Sequence, residues 1–302
     1  MNTSLPDPSE RPALQSLRDL VRYGVSRFNA GGLAFGHGSD NAHDEAVYLT
    51  LHALHLPPDT LDPFLDARLL PSERDAVLDL FERRVRERLP APYLTGEAWL
   101  RGHRFRVDPR VIVPRSPIAE LLESGLAPWV DPDAVADVLD MCTGSGCLAI
   151  LAALAFGQAR VDGVDCSADA LEVAALNVGD YGLGSRVALR RSDLFDQLAA
   201  RRYDVIVCNP PYVNAASMDA LPREYRHEPR LALAGGADGM DLVRRILRDA
   251  PRFLQPEGVL VLEIGHERDH FGRAFPDLDP VWLATEGTHD QILLLTRSQL
   301  AP

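Results

Sequence analysis

Residues 205–214 read VIVCNPPYVN, and the abrupt change at position 209 decides how the chain is read. Val205 to Cys208 have the apolar, β-branched composition of a strand buried on both faces, as in a parallel sheet. Pro210 and Pro211 carry no N–H for a ladder, so the chain leaves the sheet at Asn209. In an open α/β sheet, ligands bind in the crevice beyond the carboxyl ends of the strands. Asn209 therefore stands where function is expected.

Strand and helix patterns alternate around this stretch from Val135 onward. AVADVLDM, ARVDGVD, RVALRRSD, YDVIVCNP, GVLVLEI, VWLATE and DQILLLT read as strands, with helical patterns between most of them. The last two read as an antiparallel hairpin at a sheet edge. Seven strands with that ending predict a doubly wound α/β sheet rather than a barrel, and no internal repeat is evident.

Upstream, the pattern is helical. Leu14, Leu17, Val21, Val25 and Phe28 recur at three- or four-residue steps before Gly31 and Gly32, a C-terminal stop. A second helix is expected near Glu45 to Leu56, closed by Pro57 and Pro58. A third starts at Pro71 and Ser72 and carries Val77, Phe81, Val85 and Leu89 on one stripe. Between Tyr93 and Val113, short aromatic and β-branched runs around Gly102 predict a β-hairpin. The expected organisation is a small helical domain over 1–92, a linking hairpin over 93–113 and the α/β domain over 114–302.

With 302 residues, 46% of them hydrophobic, the chain is long enough for one large domain and a smaller companion. No apolar run reaches membrane-spanning length. The opening MNTSLPDPSERP lacks the basic and apolar regions of a signal peptide and reads as a short disordered lead-in, so a cytoplasmic protein is expected. Cys142, Cys147, Cys166 and Cys208 lack C-x-x-C spacing and are expected as small buried thiols, with no metal. The net charge of −13 opposes non-specific nucleic-acid binding and suits a basic protein partner.

The chemistry gathers at the strand ends, where Asp140, Asp165, Asp193 and Asn209 recur at one edge of the sheet. After Asp140 comes a turn, Thr143-Gly144-Ser145-Gly146, whose glycines permit close backbone approach where a helix begins. The G-x-G-x-x-G spelling of a dinucleotide site is absent, since position 149 is Ala. The glycines equally suit plain packing of helix on strand. Asp165, about 20 residues further on, can accept hydrogen bonds from both ribose hydroxyls. It can also be a favourable charge beside a helix capped by Ser167. Asp193 is placed to accept from an adenine amino group or to serve only as a turn residue.

Asn209-Pro210-Pro211-Tyr212 is the specific element. The lone pair of an amide or exocyclic amine nitrogen is delocalised, and an ordinary carboxylate base does not ionise such a group. A site can instead accept both N–H hydrogens, from the Asn209 side-chain oxygen and the Pro210 carbonyl, and aim the nitrogen at an electrophile. Proline rigidity keeps those acceptors fixed, Tyr212 can stack on the planar group, and the fixed dipoles stabilise positive charge growing on nitrogen. A rigid turn after a buried strand explains the prolines but leaves Asn209 and Tyr212 without a reason.

The glycine turn, Asp165 and the NPPY run together resemble class I S-adenosylmethionine-dependent methyltransferases acting on planar nitrogen. The segments PYLTGEAWLRGHRFRVDPRVIVPRSPIAELLE, NPPYVN and EPRLALAGGADGMDL resemble the protein-glutamine methyltransferase family that modifies release factors and a ribosomal protein. PRSPIAELLE and SRFNAGGLAFGHGSDNAHDEAVYL are similar to the branch specific for large-subunit ribosomal protein L-three. The release-factor branch usually reads Pro-Glu-Thr-Glu where this chain has Ser116, Pro117, Ile118 and Ala119.

The resemblance implies a Rossmann-like, seven-stranded methyltransferase domain that transfers a methyl group from S-adenosylmethionine to the side-chain amide nitrogen of a glutamine, leaving S-adenosylhomocysteine. By matching position, Thr143, Gly144, Ser145 and Gly146 serve the methionine end, Asp165 the ribose and Asp193 the adenine edge, with Asp140 a further cofactor-binding candidate whose part is not specified. Asn209, which also borders the cofactor, Pro210, Pro211 and Tyr212 serve the substrate amide. One departure is Cys142, where methyltransferases commonly have Gly.

The resemblance also implies that the helical domain helps select the protein substrate, before or during ribosome assembly. Arg115 is a candidate clamp or an exposed arginine, the loop from Asn214 to Asp238 a candidate lid. His227 and His266 have no evident partners. The alternatives are methylation of release factors, methylation of DNA adenine in the same cradle, and a non-catalytic protein that binds S-adenosylmethionine or the ribosome. Direct DNA binding and membrane association are not expected.

Overall fold

The architecture follows from where apolar residues interrupt polar ones. In the computed structural model, residues 10–301 are described, so most of the expected N-terminal lead-in falls outside them. The chain divides into two compact units. One comprises residues 10–98 with Pro222–His227, the other Trp99–Leu221 with residues 228–301.

The first unit packs three long helices. Helix α1 (Leu17–Gly31) opens on a capping box in which the Ser16 side chain accepts from the Asp19 N–H and Asp19 accepts from the Ser16 N–H. It closes on Gly32 at φ +58°, the left-handed stop expected from the sequence. Helix α2 (Ala42–Ala53) is capped by Asn41, and α3 (Pro71–Glu87) starts with Pro71 in its first turn. Leu20, Phe28, Ala46, Leu49, Val77, Leu78 and Phe81 form the core between them.

This core also holds charge. Arg84 is fully buried, donates to both Glu45 oxygens and to the Ala34 carbonyl, and lies 3.6 Å from Glu224. Glu224, from the short segment Pro222–His227, accepts from the Ala34 N–H and from Arg88. Two acids and two arginines offset one another's charge there, which is what permits their burial, although Arg84 Nη1 has no hydrogen-bond partner among the described residues.

Helix α4 (Ala91–Thr95) precedes the hairpin strands β1 (Glu97–Leu100) and β2 (His103–Arg106). The pairing is therefore shorter than the expected 93–113. Pro92 suits a first helical turn and Gly96 at φ +75° ends it, so Tyr93 to Thr95 are helical. Arg101 and Gly102, both at positive φ, make the turn.

The second unit continues with α5 (Ile118–Glu123), β3 (Asp137–Met141), α6 (Cys147–Ala155), β4 (Arg160–Asp165), α7 (Ala168–Asp180), β5 (Val187–Arg191) and β6 (Tyr203–Cys208). It ends with α8 (Ala215–Ala220), α9 (Asp241–Phe253), β7 (Leu254–Glu263), α10 (Arg268–Ala274), β8 (Val281–Leu283), β9 (Ile292–Thr296) and α11 (Arg297–Leu300). The seven strands of the sheet lie in the order β5-β4-β3-β6-β7-β9-β8. Neighbours from β5 to β7 are parallel, and β9 runs antiparallel to both β7 and β8. The doubly wound sheet with a terminal antiparallel hairpin is thus the one expected.

Alternation explains the continuous apolar runs. Val205 and Val207 with Val259 and Val261 enter the core on one face, and Ile206 and Cys208 with Leu260 and Leu262 that on the other. The order of strands reverses between β3 and β6, so the crevice opens beside Asn209.

Candidate active site

Register sets the site. Met141 pairs with Val164 and Cys208, and Cys208 pairs with Leu262. One step further along the strands stand Cys142, Asp165, Asn209 and Glu263, a row along the carboxyl edge.

On the β3 side, the chain turns at once. Cys142 has φ +63°, a left-handed conformation in which the departure from Gly carries strain. The Thr143 N–H donates to the Val164 carbonyl, tying the turn to β4. Gly144 and Gly146 both have positive φ but serve different ends. A Cβ on Gly146 would stand 3.1 Å from Ala174 Cβ, so this glycine permits α7 to pack. At Gly144 the nearest atom would be Ile112 at 3.8 Å, an ordinary contact, so no close packing accounts for this glycine on its half-buried backbone.

Asp140 supports the turn from beneath. It is wholly buried and accepts from the Thr143 hydroxyl and, at 2.9 Å, from the Ala149 N–H at the start of α6. Burial pushes its carboxyl up to about 7 in spite of those bonds. Its Oδ1 has no partner among the described residues. Ser145 is buried, and its carbonyl accepts from Asn177 at 2.8 Å.

Asp165 closes β4 and stitches two elements together. One oxygen accepts from Gly144 N–H at 3.0 Å and the other from Ser167 N–H at 2.9 Å, while Ser167 caps α7. The residue is half-buried, and each oxygen of a carboxylate can accept more than the one bond seen here. Burial raises its carboxyl, opposed by those two backbone donors. Asp193 lies two residues beyond β5 and is exposed, with its carboxylate 3.0 Å from Arg245.

On the β6 side, Asn209 is half-buried, and no hydrogen bond among the described residues engages its side chain. Pro210 and Pro211 are buried behind it. Beyond them the chain is held firmly. Val213 donates to the Leu233 carbonyl and accepts from Gly235 N–H, each at 2.9 Å. Asn214 caps α8 and donates to Glu267 at 2.7 Å. The segment from Asn214 to Asp238 is accordingly built of short helical turns and a bridge back to Val213.

Tyr212 is fixed at both ends. Its hydroxyl donates to Glu263 at 2.9 Å. A Cβ on Gly265 would fall 2.4 Å from its ring, and one on Gly239 would fall 2.2 Å from its carbonyl oxygen. Only glycine fits at either place, and both have positive φ. Glu263 is buried and also accepts from the Ser116 hydroxyl; burial pushes it up to about 7, against the pull of those two hydroxyls and of Arg115. Arg115 itself forks onto Glu228 at 2.6 and 2.7 Å, and Glu228 also accepts from Val113 N–H.

Glu263, Ser116, Glu228, Gly239 and Gly265 are the residues that sequence reasoning missed. The available signal was the acid closing VLVLEI, a fifth polar residue at the same sheet edge. Two other expectations are corrected. Cys166 is exposed because it follows the end of β4 rather than lying within it, although Cys147 and Cys208 are buried and all four thiols are free. His227 has a partner in the Glu87 carbonyl, and His266 one in Gln291.

Residues 124–223 match the Methyltransferase small domain family. The ribosomal protein uL3 glutamine methyltransferase of Bordetella pertussis is 75% identical over 97% of this chain and 98% of its own length. The chain belongs to the ribosomal protein uL3 glutamine methyltransferase family. The family member from Burkholderia pseudomallei is 62% identical over 95% of this chain and 96% of its own. A methyltransferase of known structure from Pyrococcus furiosus is similar at 17% identity over 66% of this chain and 90% of that one, with a TM-score of 0.48. Membership agrees with the resemblance carried by NPPY and PRSPIAELLE, and the sheet is the α/β fold of a class I methyltransferase. Among the described residues, no group of His, Cys, Asp or Glu side chains is arranged to hold a metal ion, and no helix is long and apolar enough to cross a membrane.

Proposed function

We propose that this chain methylates the side-chain amide nitrogen of a glutamine in large-subunit ribosomal protein uL3, with S-adenosylmethionine as donor. The observation that carries this reading is Asn209. Its side-chain amide is left without an internal partner at the reversal of strand order, on a segment whose neighbours are pinned on both sides. A polar side chain at a crevice with unused hydrogen-bonding capacity is a binding group.

The turn after β3 fits the donor. Gly144 is not close-packed by its neighbours, Asp165 has lone pairs to spare, and the buried Asp140 has an unused oxygen beneath the turn. Thr143 to Gly146 would hold the methionine end and Asp165 the ribose. Asp193 would take the adenine edge after loosening its ion pair with Arg245. Asp140 holds the turn in shape. Bound S-adenosylmethionine supplies an electrophilic methyl group on a sulfonium.

The chain's own contribution is orientation. Asn209 Oδ1 and the Pro210 carbonyl accept the two N–H hydrogens of the glutamine amide, which fixes the direction of its nitrogen. The buried prolines keep those acceptors from relaxing. As the nitrogen gains positive charge, both oxygens bind it more strongly than in the ground state, which is where rate enhancement arises. One of its two protons then leaves to solvent, so that the neutral methylated amide remains. Removal of one such preorganised partner typically costs about 100- to 1,000-fold in rate.

The helical unit would recognise the protein around the target glutamine. The chain's net charge of −13 suits a basic, RNA-binding substrate. Modification before or during ribosome assembly, in the cytoplasm, follows if the target is buried in the finished particle. The test offers methyl-labelled donor with free uL3, a release factor, adenine-containing DNA and intact large subunits in parallel. Label on free uL3 alone supports the reading. Label on the release factor or DNA keeps the cradle chemistry and overturns the substrate.

A further inference from the structure

We infer that Glu263, held by Ser116, is a positioning residue for methyl transfer that acts by fixing the Tyr212 ring beside Asn209. The inference rests on the reading above for what the ring meets, but its evidence lies in the construction behind the ring.

A carboxyl group at the end of a central strand is expensive to bury, and neighbouring sheet positions use apolar residues instead. Glu263 is nevertheless 4% exposed. Two other buried glutamates are met by arginine, Glu45 by Arg84 and Glu228 by Arg115, whereas the buried Asp140 accepts from the Thr143 hydroxyl and the Ala149 N–H. Glu263 has no ion pair among the described residues; each of its oxygens instead accepts one neutral hydroxyl, Tyr212 on Oε1 and Ser116 on Oε2. Arg115 is near enough to favour the charged form, yet its fork is committed to Glu228. A carboxyl group satisfied in this way is poorly explained as a stabilising ion pair. It is well explained as an acceptor that sets the direction of a phenol.

The geometry of Tyr212 leaves little else for that acceptor to do. Gly265 abuts the ring, and Gly235 and Gly239 abut its backbone, so the residue is confined along its length and the hydroxyl bond fixes the remaining rotation. Glu263 stands in the same row as Asn209, because Cys208 and Leu262 are partners one step earlier. Ser116 completes the arrangement by holding the second oxygen, so that the carboxyl plane is not free to swing. A ring so fixed presents one orientation to a planar amide and avoids reorganisation during transfer.

The experiment compares Glu263→Gln, Ser116→Ala, Tyr212→Phe and the Glu263→Gln/Tyr212→Phe pair with wild type. It measures kcat and KM for free uL3, cofactor affinity, and the fluorine spectrum of protein carrying ring-fluorinated tyrosine, with Tyr212→Phe assigning the signal. Glu263→Gln is expected to lower kcat roughly 10- to 100-fold with cofactor affinity within about twofold. The double variant should fall no further than the worse single one. The Tyr212 signal should be one sharp line in wild type and averaged or doubled in Glu263→Gln and, less so, in Ser116→Ala. Multiplicative losses, a change confined to KM, or an unchanged Tyr212 line in Glu263→Gln would overturn the inference. If no uL3 is methylated even by wild type, the proposed function fails, and the fluorine spectra still decide whether Glu263 fixes the ring.

Discussion

Two buried carboxyl groups flank β6, and they are held in opposite ways. Asp140 in β3 draws its donors from the next nine positions of the chain, Thr143 and Ala149, and keeps one oxygen unpaired. Glu263 at the end of β7 draws its donors from Ser116 and Tyr212, over a hundred and about fifty positions away, and both oxygens are used. Burial pushes both to about 7. The side of the crevice proposed for the cofactor is therefore a mainly local device that one short segment carries. The side proposed for the substrate is a tertiary device that exists only once distant segments have met.

That difference predicts which changes do most damage. Gly265→Ala should strike the tertiary side hardest, since its Cβ would stand 2.4 Å from the Tyr212 ring. A loss of at least about 1,000-fold in kcat, about 4 kcal/mol in barrier, is expected with donor affinity retained. Parallel calorimetry of donor binding and turnover checks this. Equal loss of both would mean that the two sides are not separable.

Titration gives the next largest effect. Both acids have folded pKa values raised above their ordinary ones, so between about pH 4 and 7 the folded state holds protons that the unfolded chain has released. Their contribution is full below the unfolded values and declines as pH rises through the folded ones. Asp140→Asn should remove its share of that decline, on the order of 3–4 kcal/mol across the window. Denaturant titrations at several pH values measure it. An unchanged slope in Asp140→Asn would show that Asp140 does not titrate with folding.

The smallest effect sharpens the local side. Cys142 sits at φ +63°, so Cys142→Gly should relieve strain while adding freedom to the unfolded chain. The net gain should be below about 1 kcal/mol, a rise in Tm of a few degrees at most. A fall in Tm would mean that the Cys142 side chain contributes more packing than its backbone costs.

The same contrast explains what was legible in the sequence. The strands, the glycine turn, the Ser167 cap and the Asn209 exit were all visible because each is a pattern within a few residues. Even there, packing and ligand approach looked alike at Gly144 and Gly146; only the neighbours, an ordinary contact with Ile112 at one and a tight one with Ala174 at the other, separate them. Glu228 and Glu263 were hidden because a carboxylate beside a strand has no sequence mark that names Arg115 or Tyr212 as its partner. Gly235 closes on Tyr212 from within the segment read as a candidate lid, and Gly239 does so from just beyond it, contacts that no local pattern announces. Glu224 was hidden for the same reason, its partners Arg84 and Arg88 lying far upstream.

The central claim is that Asn209 aims a glutamine amide at the methyl donor. The most direct measurement is fragment-ion mass spectrometry of free uL3 after reaction with wild type and with Asn209→Ala at equal donor saturation. One added methyl group on the side-chain amide of a single glutamine is expected with wild type, and a rate lower by about 100-fold or more with Asn209→Ala. A methyl group on another residue type, or equal rates from the two proteins, would contradict the claim.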